Sequence, residues 1–211
     1  MLYYRIISVL CLALSFWANR WLPVQWGWEN NVLECLQALI LALGLILSWI
    51  KPHSSSYTKN IVRYFGLFST PIWLLLIGRE LSWGRVFFPL GINASGPYFP
   101  PLSALWYGSA VYPAITIILF FWVFALLKYR LYMIPLNMIR CGVFPWTNFS
   151  ITFIGTVIAY IAERRLHLPI TEEVAESVVY IGLIVLALQV KHILLKYNAF
   201  DVNKHNSSSL F

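Results

Sequence analysis

Val111–Leu127, VYPAITIILFFWVFALL, is a run of seventeen residues without a single charge. A helix crosses the roughly 30 Å hydrocarbon core of a bilayer with about 17 to 25 such residues. A helix at the surface of a soluble domain would instead be apolar on one stripe only. Outward from this run, five further apolar stretches follow the same pattern: Leu2–Ala18, Val32–Ile50, Ile61–Gly78, Val143–Ala162 and Glu172–Val190. Together they predict an all-α integral membrane protein, a bundle of about six transmembrane helices. They form one domain over residues 1–202, followed by a short Ser-rich tail at 203–211 expected to be disordered.

The whole composition agrees. The 211-residue chain is 60% hydrophobic and 11% charged, where a soluble domain carries about 25% charge. The lipid bilayer is therefore the expected principal partner. Arg5 and the run to Ala18 have the outline of a signal peptide, but Phe16 occupies a position where cleavage needs a small residue, so the run reads as a retained span. Pro71 and Pro145 fall inside or at the start of spans, which is tolerated where neighbouring helices re-satisfy the backbone. The small pairs Ala38/Ala42 and Gly155/Ala159 mark faces where helices can approach closely.

The net charge of +7 does not point to nucleic acid, because the cations stand singly or in pairs at the ends of apolar runs rather than in a dense patch. They read as topology determinants. With the N-terminus inside, ten fall on the inner side: Arg5, Lys51, Lys59, Arg63, Lys128, Arg130, Arg140, Lys191, Lys196 and Lys204. Five fall outside: Arg20, Arg79, Arg85, Arg164 and Arg165. The excess predicts cytoplasmic N- and C-termini. The outer connection Arg79–Ala110 is rich in Phe, Tyr, Pro and Leu, and is expected to fold over the helix ends or dip into the interface. Cys11, Cys35 and Cys141 are too few and too scattered for a disulfide framework or a metal knuckle.

The acidic residues are segregated. Glu29, Glu34, Glu80, Glu163, Glu172, Glu173 and Glu176 all fall at or near the outer helix ends in this topology, and the inner side holds only Asp201. Ionisable groups near membrane depth are costly and mark function. Glu29 and Glu172 read as helix-start charges, favoured by the dipole, and Asn31 with Glu34 has the spacing of a capping box. Glu34 and Glu176 lie about one turn inside their spans, with Gln37 three residues beyond Glu34. Glu173, Glu176 and Tyr180 share one helical face. Glu80 stands at a helix C-terminus, where the dipole opposes an anion, so a partner such as Arg79 or Arg85 must hold it. Glu163-Arg164-Arg165 reads as a solvated, self-neutralising turn. No HExxH, GxSxG or Gly-rich phosphate loop is present, so a zinc hydrolase of the familiar kinds is unsupported, no metal site is assigned and the cofactor stays unknown.

The string Gly78-Arg79-Glu80-Leu81-Ser82-Trp83-Gly84-Arg85 resembles a motif of uncharacterised bacterial multi-pass inner-membrane proteins, approximately G-E-E-I-S-W-G-Q-R. Arg79 replaces the first acid of that pattern and Arg85 stands at its glutamine position. The resemblance implies a bacterial inner membrane and no particular activity.

The residues thus lead to an outward-facing polar pocket built from Glu34, Arg79, Glu80, Trp83, Arg85, Glu173 and Glu176, which binds or handles a lipid headgroup or other small polar ligand. One alternative is a hydrolase or transferase with a glutamate general base and arginines steadying anionic charge. Another is a non-catalytic assembly or immunity-type membrane factor, in which the charges serve topology. Paired carboxylates also offer oxygen ligands to a divalent cation.

Overall fold

A computed structural model describes residues 2–28, 32–50, 56–93, 96–129 and 131–207. Glu29, Asn31, Lys51 and Arg130, to which the sequence assigns capping or topological roles, lie outside the described residues. Seven α-helices are described: α1 (Leu2–Trp21), α2 (Val32–Trp49), α3 (Ser56–Glu80), α4 (Gly108–Lys128), α5 (Met133–Arg140), α6 (Trp146–Ile161) and α7 (Pro169–Ser207). A small antiparallel hairpin of β1 (Gly91–Asn93) and β2 (Gly96–Tyr98) pairs Gly91 with Tyr98 and Asn93 with Gly96. Among the described residues, four helices are long and apolar enough to cross a membrane: α1, α2, α4 and the Pro169–Lys196 part of α7.

Several boundaries differ from the sequence expectation. Helix α7 continues beyond Val190 to Ser207, so residues 203–207, expected in a disordered tail, are helical. No Gly or Pro interrupts the chain after Gly182, and Leu, Ala and Lys sustain a helix wherever the membrane ends. Residues 208–211 of that tail lie outside the described residues. Helix α6 is 16 residues long and passes into a wider π-turn at Ala162–Leu166, which closes with His167 in the left-handed conformation. The short α5 is not signalled by the apolar runs; it buries Met138 and exposes Leu136 and Ile139.

Helix α7 is the hub, packed against α1, α2, α3 and α6. Leu12, Ile151, Ala159, Ala175 and Val178 join α1, α6 and α7. The Gly155/Ala159 pair lies in this contact, and a Cβ at Gly155 would stand 3.0 Å from Val179 Cγ2. Leu41, Trp73 and Tyr180 join α2, α3 and α7. Here α2 packs through Gln37, Leu41, Gly44 and Ser48, while the expected Ala38/Ala42 face is only half-buried. Gly44 is needed because a Cβ there would lie 2.7 Å from the Trp73 ring, and the Trp73 indole donates to Ser48 Oγ at 2.9 Å.

Several polar groups inside the bundle are tied to backbone, as an apolar medium favours. Buried Lys191 donates to the carbonyls of Leu47 (3.0 Å) and Ile50 (2.6 Å), closing the C-terminal end of α2. Before Pro71, Ser69 and Thr70 hydroxyls bond to the carbonyls of Phe65 and Gly66, and Trp122 of α4 donates to the Phe68 carbonyl at 2.9 Å. That bond and the Phe68–Trp122 stack hold α4 against α3, with none of its most apolar stretch buried. Asn19 donates to Thr171, which donates to the Ser15 carbonyl, so the start of α7 is anchored to α1.

Candidate functional site

Helices α3 and α7 meet where α3 finishes. Tyr180 of α7, almost fully buried, donates its hydroxyl to Glu80 Oε1 at 2.5 Å. Arg79 donates from Nη1 to the same Tyr180 oxygen at 3.0 Å and from Nη2 to Glu176 Oε1 at 2.5 Å, and its Nη1 lies 3.7 Å from Glu80 Oε1. The anion at the disfavoured end of α3 is therefore held by a phenol and a guanidinium. Arg79, one of the two arginines that the sequence offers, pairs with Glu80. Tyr180 is the partner that local sequence does not reveal, because it lies 100 positions away on another helix.

Burial is graded across this cluster. The Glu80 side chain is 4% exposed, that of Glu176 14% and that of Arg79 54%. The guanidinium is thus the exposed member of the cluster and the carboxyl of Glu80 the buried one. Glu80 lies past the apolar stretch that ends at Gly78. Burial pushes its carboxyl above the ordinary carboxylate range and Glu176 adds to this, against the Tyr180 bond and the Arg79 charge. Burial works the other way on Arg79, but the bond and charge of Glu176, with Tyr180 and Glu80, raise its affinity for its proton above the ordinary value.

A second layer sits beside the first. Gln37 of α2 is fully buried and donates from Nε2 to the backbone carbonyl and to Oε2 of Glu173, both at 2.8 Å. Its Oε1 is buried without a partner among the described residues. Ser177 donates to the Glu173 carbonyl at 2.9 Å. Glu34 is half-buried one turn before Gln37, and the charges of Glu34, Glu176, Glu172 and Glu80 all bear on Glu173. Carboxylates outnumber cations here.

The loop beyond Glu80 is built around its glycines and aromatics. Ser82, Trp83 and Gly84 have φ of 44°, 56° and 88°, a left-handed run that only Gly adopts without strain. It turns the Trp83 indole back onto Gly78, where a Cβ would lie 2.5 Å from the ring. Tyr107, at the far end of the loop, donates to the Trp83 carbonyl at 3.2 Å, and its hydroxyl crowds Gly84. Trp28, from the α1–α2 connection, packs on Gly96 of the hairpin. The connection is thus pinned at both ends, while Phe87, Leu90, Ile92 and Trp106 remain exposed. Arg85 is half-buried in the short turn Ser82–Phe87.

Glu163 stands apart from this cluster and pairs with Arg164 at 3.5 Å on an exposed turn. Glu172 is half-buried at the start of α7. Among the described residues, no group of three His, Cys, Asp or Glu side chains is arranged to hold a metal ion. No family model, curated protein or solved structure matches the chain.

Proposed function

We propose that this chain is a six-span protein of a bacterial inner membrane, with both termini cytoplasmic, whose Arg79–Glu80–Glu176–Tyr180 cluster faces outward and binds a small polar ligand carrying an amine. A phospholipid headgroup of the phosphoethanolamine type fits this description, with its ammonium toward the carboxylates and its phosphate toward Arg79. The six spans would be the apolar stretches carried by α1, α2, α3 (Ile61–Gly78, ending before Arg79), α4, α6 and α7. The Gly78–Arg85 resemblance and the excess of cations on the opposite side support the compartment and the orientation.

The observation that carries the reading is the exposed guanidinium of Arg79, fixed by three partners above a buried carboxyl. Side chains already locked by bonds lose little entropy when a ligand arrives. The excess of carboxylates supplies the complement to a cation, and the left-handed turn at Ser82–Gly84 is the kind of strain that accumulates at ligand clamps. Burial of Glu80, with Oε1 already accepting from Tyr180, favours binding over general-base catalysis, which needs a carboxylate within reach of a substrate proton.

Native mass spectrometry of protein extracted in nanodiscs tests this. The wild type should carry an amine-bearing lipid or small amine, and Glu176→Gln should lose at least about tenfold of it, as expected for one charged hydrogen-bond partner removed. An identical bound complement in both proteins would contradict the proposal and favour a non-catalytic membrane factor.

A further inference from the structure

A cavity of about 630 Å³ opens at the other end of the bundle, between the start of α1, the entry to α6 and α7 around Gln189–Ile193. On α7 it lies 16 residues beyond Glu176, roughly 24 Å away at about 1.5 Å per residue. Its polar wall is Arg5, Thr147, Gln189 and His192, and among the described residues no carboxylate lines it. Its other wall is apolar, with Phe144, Leu188 and Ile193.

Arg5 is set in place by a built network. Its Nε donates to Oδ1 of Asn148 at 2.9 Å, and Asn148, fully buried, donates from Nδ2 to Gln189 Oε1 at 2.7 Å. This chain joins α1, α6 and α7 and fixes the guanidinium through its inner nitrogen. Among the described residues the two terminal nitrogens of Arg5 take no other partner. They are the pair suited to bidentate bonding of a phosphate. The first turn of α6, at Trp146 and Thr147, also borders the cavity and brings the positive end of a 16-residue helix dipole. His192 is exposed at the rim and supplies a ring donor in either ionisation state.

We infer that this cavity is a phosphate-binding site, with Arg5 as the anchoring cation, His192 as a rim donor and the Phe144–Leu188–Ile193 wall placed for an acyl chain. One cation and neutral polar groups on one side, with apolar groups on the other, match an anionic phospholipid. A free phosphate compound shares the headgroup chemistry but has no use for the apolar wall. The site is independent of the glutamate cluster, which has the opposite charge preference.

The test uses the full-length protein in nanodiscs containing phosphatidylglycerol, with native mass spectrometry counting retained lipid, and calorimetric titration with inorganic phosphate in detergent. Wild type should retain phosphatidylglycerol, and His192→Gln and Arg5→Gln should each lower retention by about fivefold or more, with Arg5→Lys intermediate. Among the described residues His192 makes no side-chain hydrogen bond, so its variant reports binding even if Arg5→Gln weakens the fold. Lipid retention without response to inorganic phosphate identifies a lipid headgroup. Saturable phosphate binding that Arg5→Gln and His192→Gln abolish identifies a free phosphate compound. Unchanged lipid retention in both variants, with no phosphate binding by the wild type, overturns the inference. Loss of amine-ligand binding in Glu176→Gln leaves this result untouched, so the two sites succeed or fail separately.

Discussion

Replacing Tyr180 with Phe removes one oxygen and strands two partners. Glu80 Oε1 loses its 2.5 Å donor in a place where its side chain is 4% exposed, and Arg79 Nη1 loses its 3.0 Å acceptor. A hydrogen bond to a charged group contributes about 1.5–3 kcal/mol in proteins generally. Between membrane helices, measured couplings average about 0.6 and reach about 1.7 kcal/mol, because the unfolded state in lipid also finds partners. The Tyr180–Glu80 bond is buried but lies at a helix end near water, so Tyr180→Phe should cost about 1–2 kcal/mol. Arg79 keeps Glu176 and adds little to that. Glu80→Ala, which removes the acceptor of the phenol, should also cost about 1–2 kcal/mol. The double variant should be less destabilised than the sum by about 0.5–1.5 kcal/mol. Unfolding equilibria in mixed micelles, or steric trapping in bicelles, provide the four free energies. Tyr160→Phe, at a phenol exposed on α6, is the control and should change stability by less than about 0.5 kcal/mol. Additivity of the two variants within about 0.3 kcal/mol would refute the idea that Tyr180 holds Glu80 in place.

Three further outcomes follow from the same geometry. In a variant lacking the native cysteines, Cys placed at Ser95 or His167 should react with an impermeant maleimide from outside and Cys at Ser55 or Ser207 should not; the reverse pattern would invert the topology and put the glutamates in the cytoplasm. The folded-state pKa of Glu80 is raised, chiefly by burial, so its contribution to stability is complete below the ordinary carboxylate value and fades as pH rises through the raised one; the melting temperature of wild type should therefore fall with rising pH more than that of Glu80→Gln, and parallel profiles would disprove this. Gly84→Ala puts a Cβ on a residue with φ of 88° and 2.6 Å from the Tyr107 hydroxyl, so it should cost about 1–3 kcal/mol and speed external proteolysis of the 87–102 loop, whereas wild-type stability and cleavage would show that the turn is not strained.

What the sequence makes legible is local. The charge-free run Val111–Leu127 is enough to identify a membrane-length helix, and Glu173, Glu176 and Tyr180 fall on one face by spacing alone. Glu80 is conspicuous because the dipole opposes it. The rest depends on which way each helix turns. In a soluble protein the apolar stripe reveals the buried face, but lipid is as apolar as the core, so most faces of α2 and all of α4 read alike. Hence the packing row Gln37–Leu41–Gly44–Ser48 is not distinguished from Ala38/Ala42, and α7 does not announce itself as the hub. The Tyr180–Glu80 and Asn148–Gln189 bonds join positions 100 and 41 residues apart, beyond any local pattern. The left-handed Ser82 and Trp83 are likewise hidden, since only Gly84 advertises such a turn.

The central claim, that the acid-rich cluster at the end of α3 is a ligand site for an amine, is tested most directly by calorimetric titration of the detergent-solubilised protein with glycerophosphoethanolamine and glycerophosphoglycerol. The account predicts saturable binding of the first, about tenfold weaker in Glu176→Gln and unchanged in Glu163→Gln, whose carboxylate pairs with Arg164 on an exposed turn outside the cluster. Equal binding of both headgroups, or equal loss in the two variants, would contradict it.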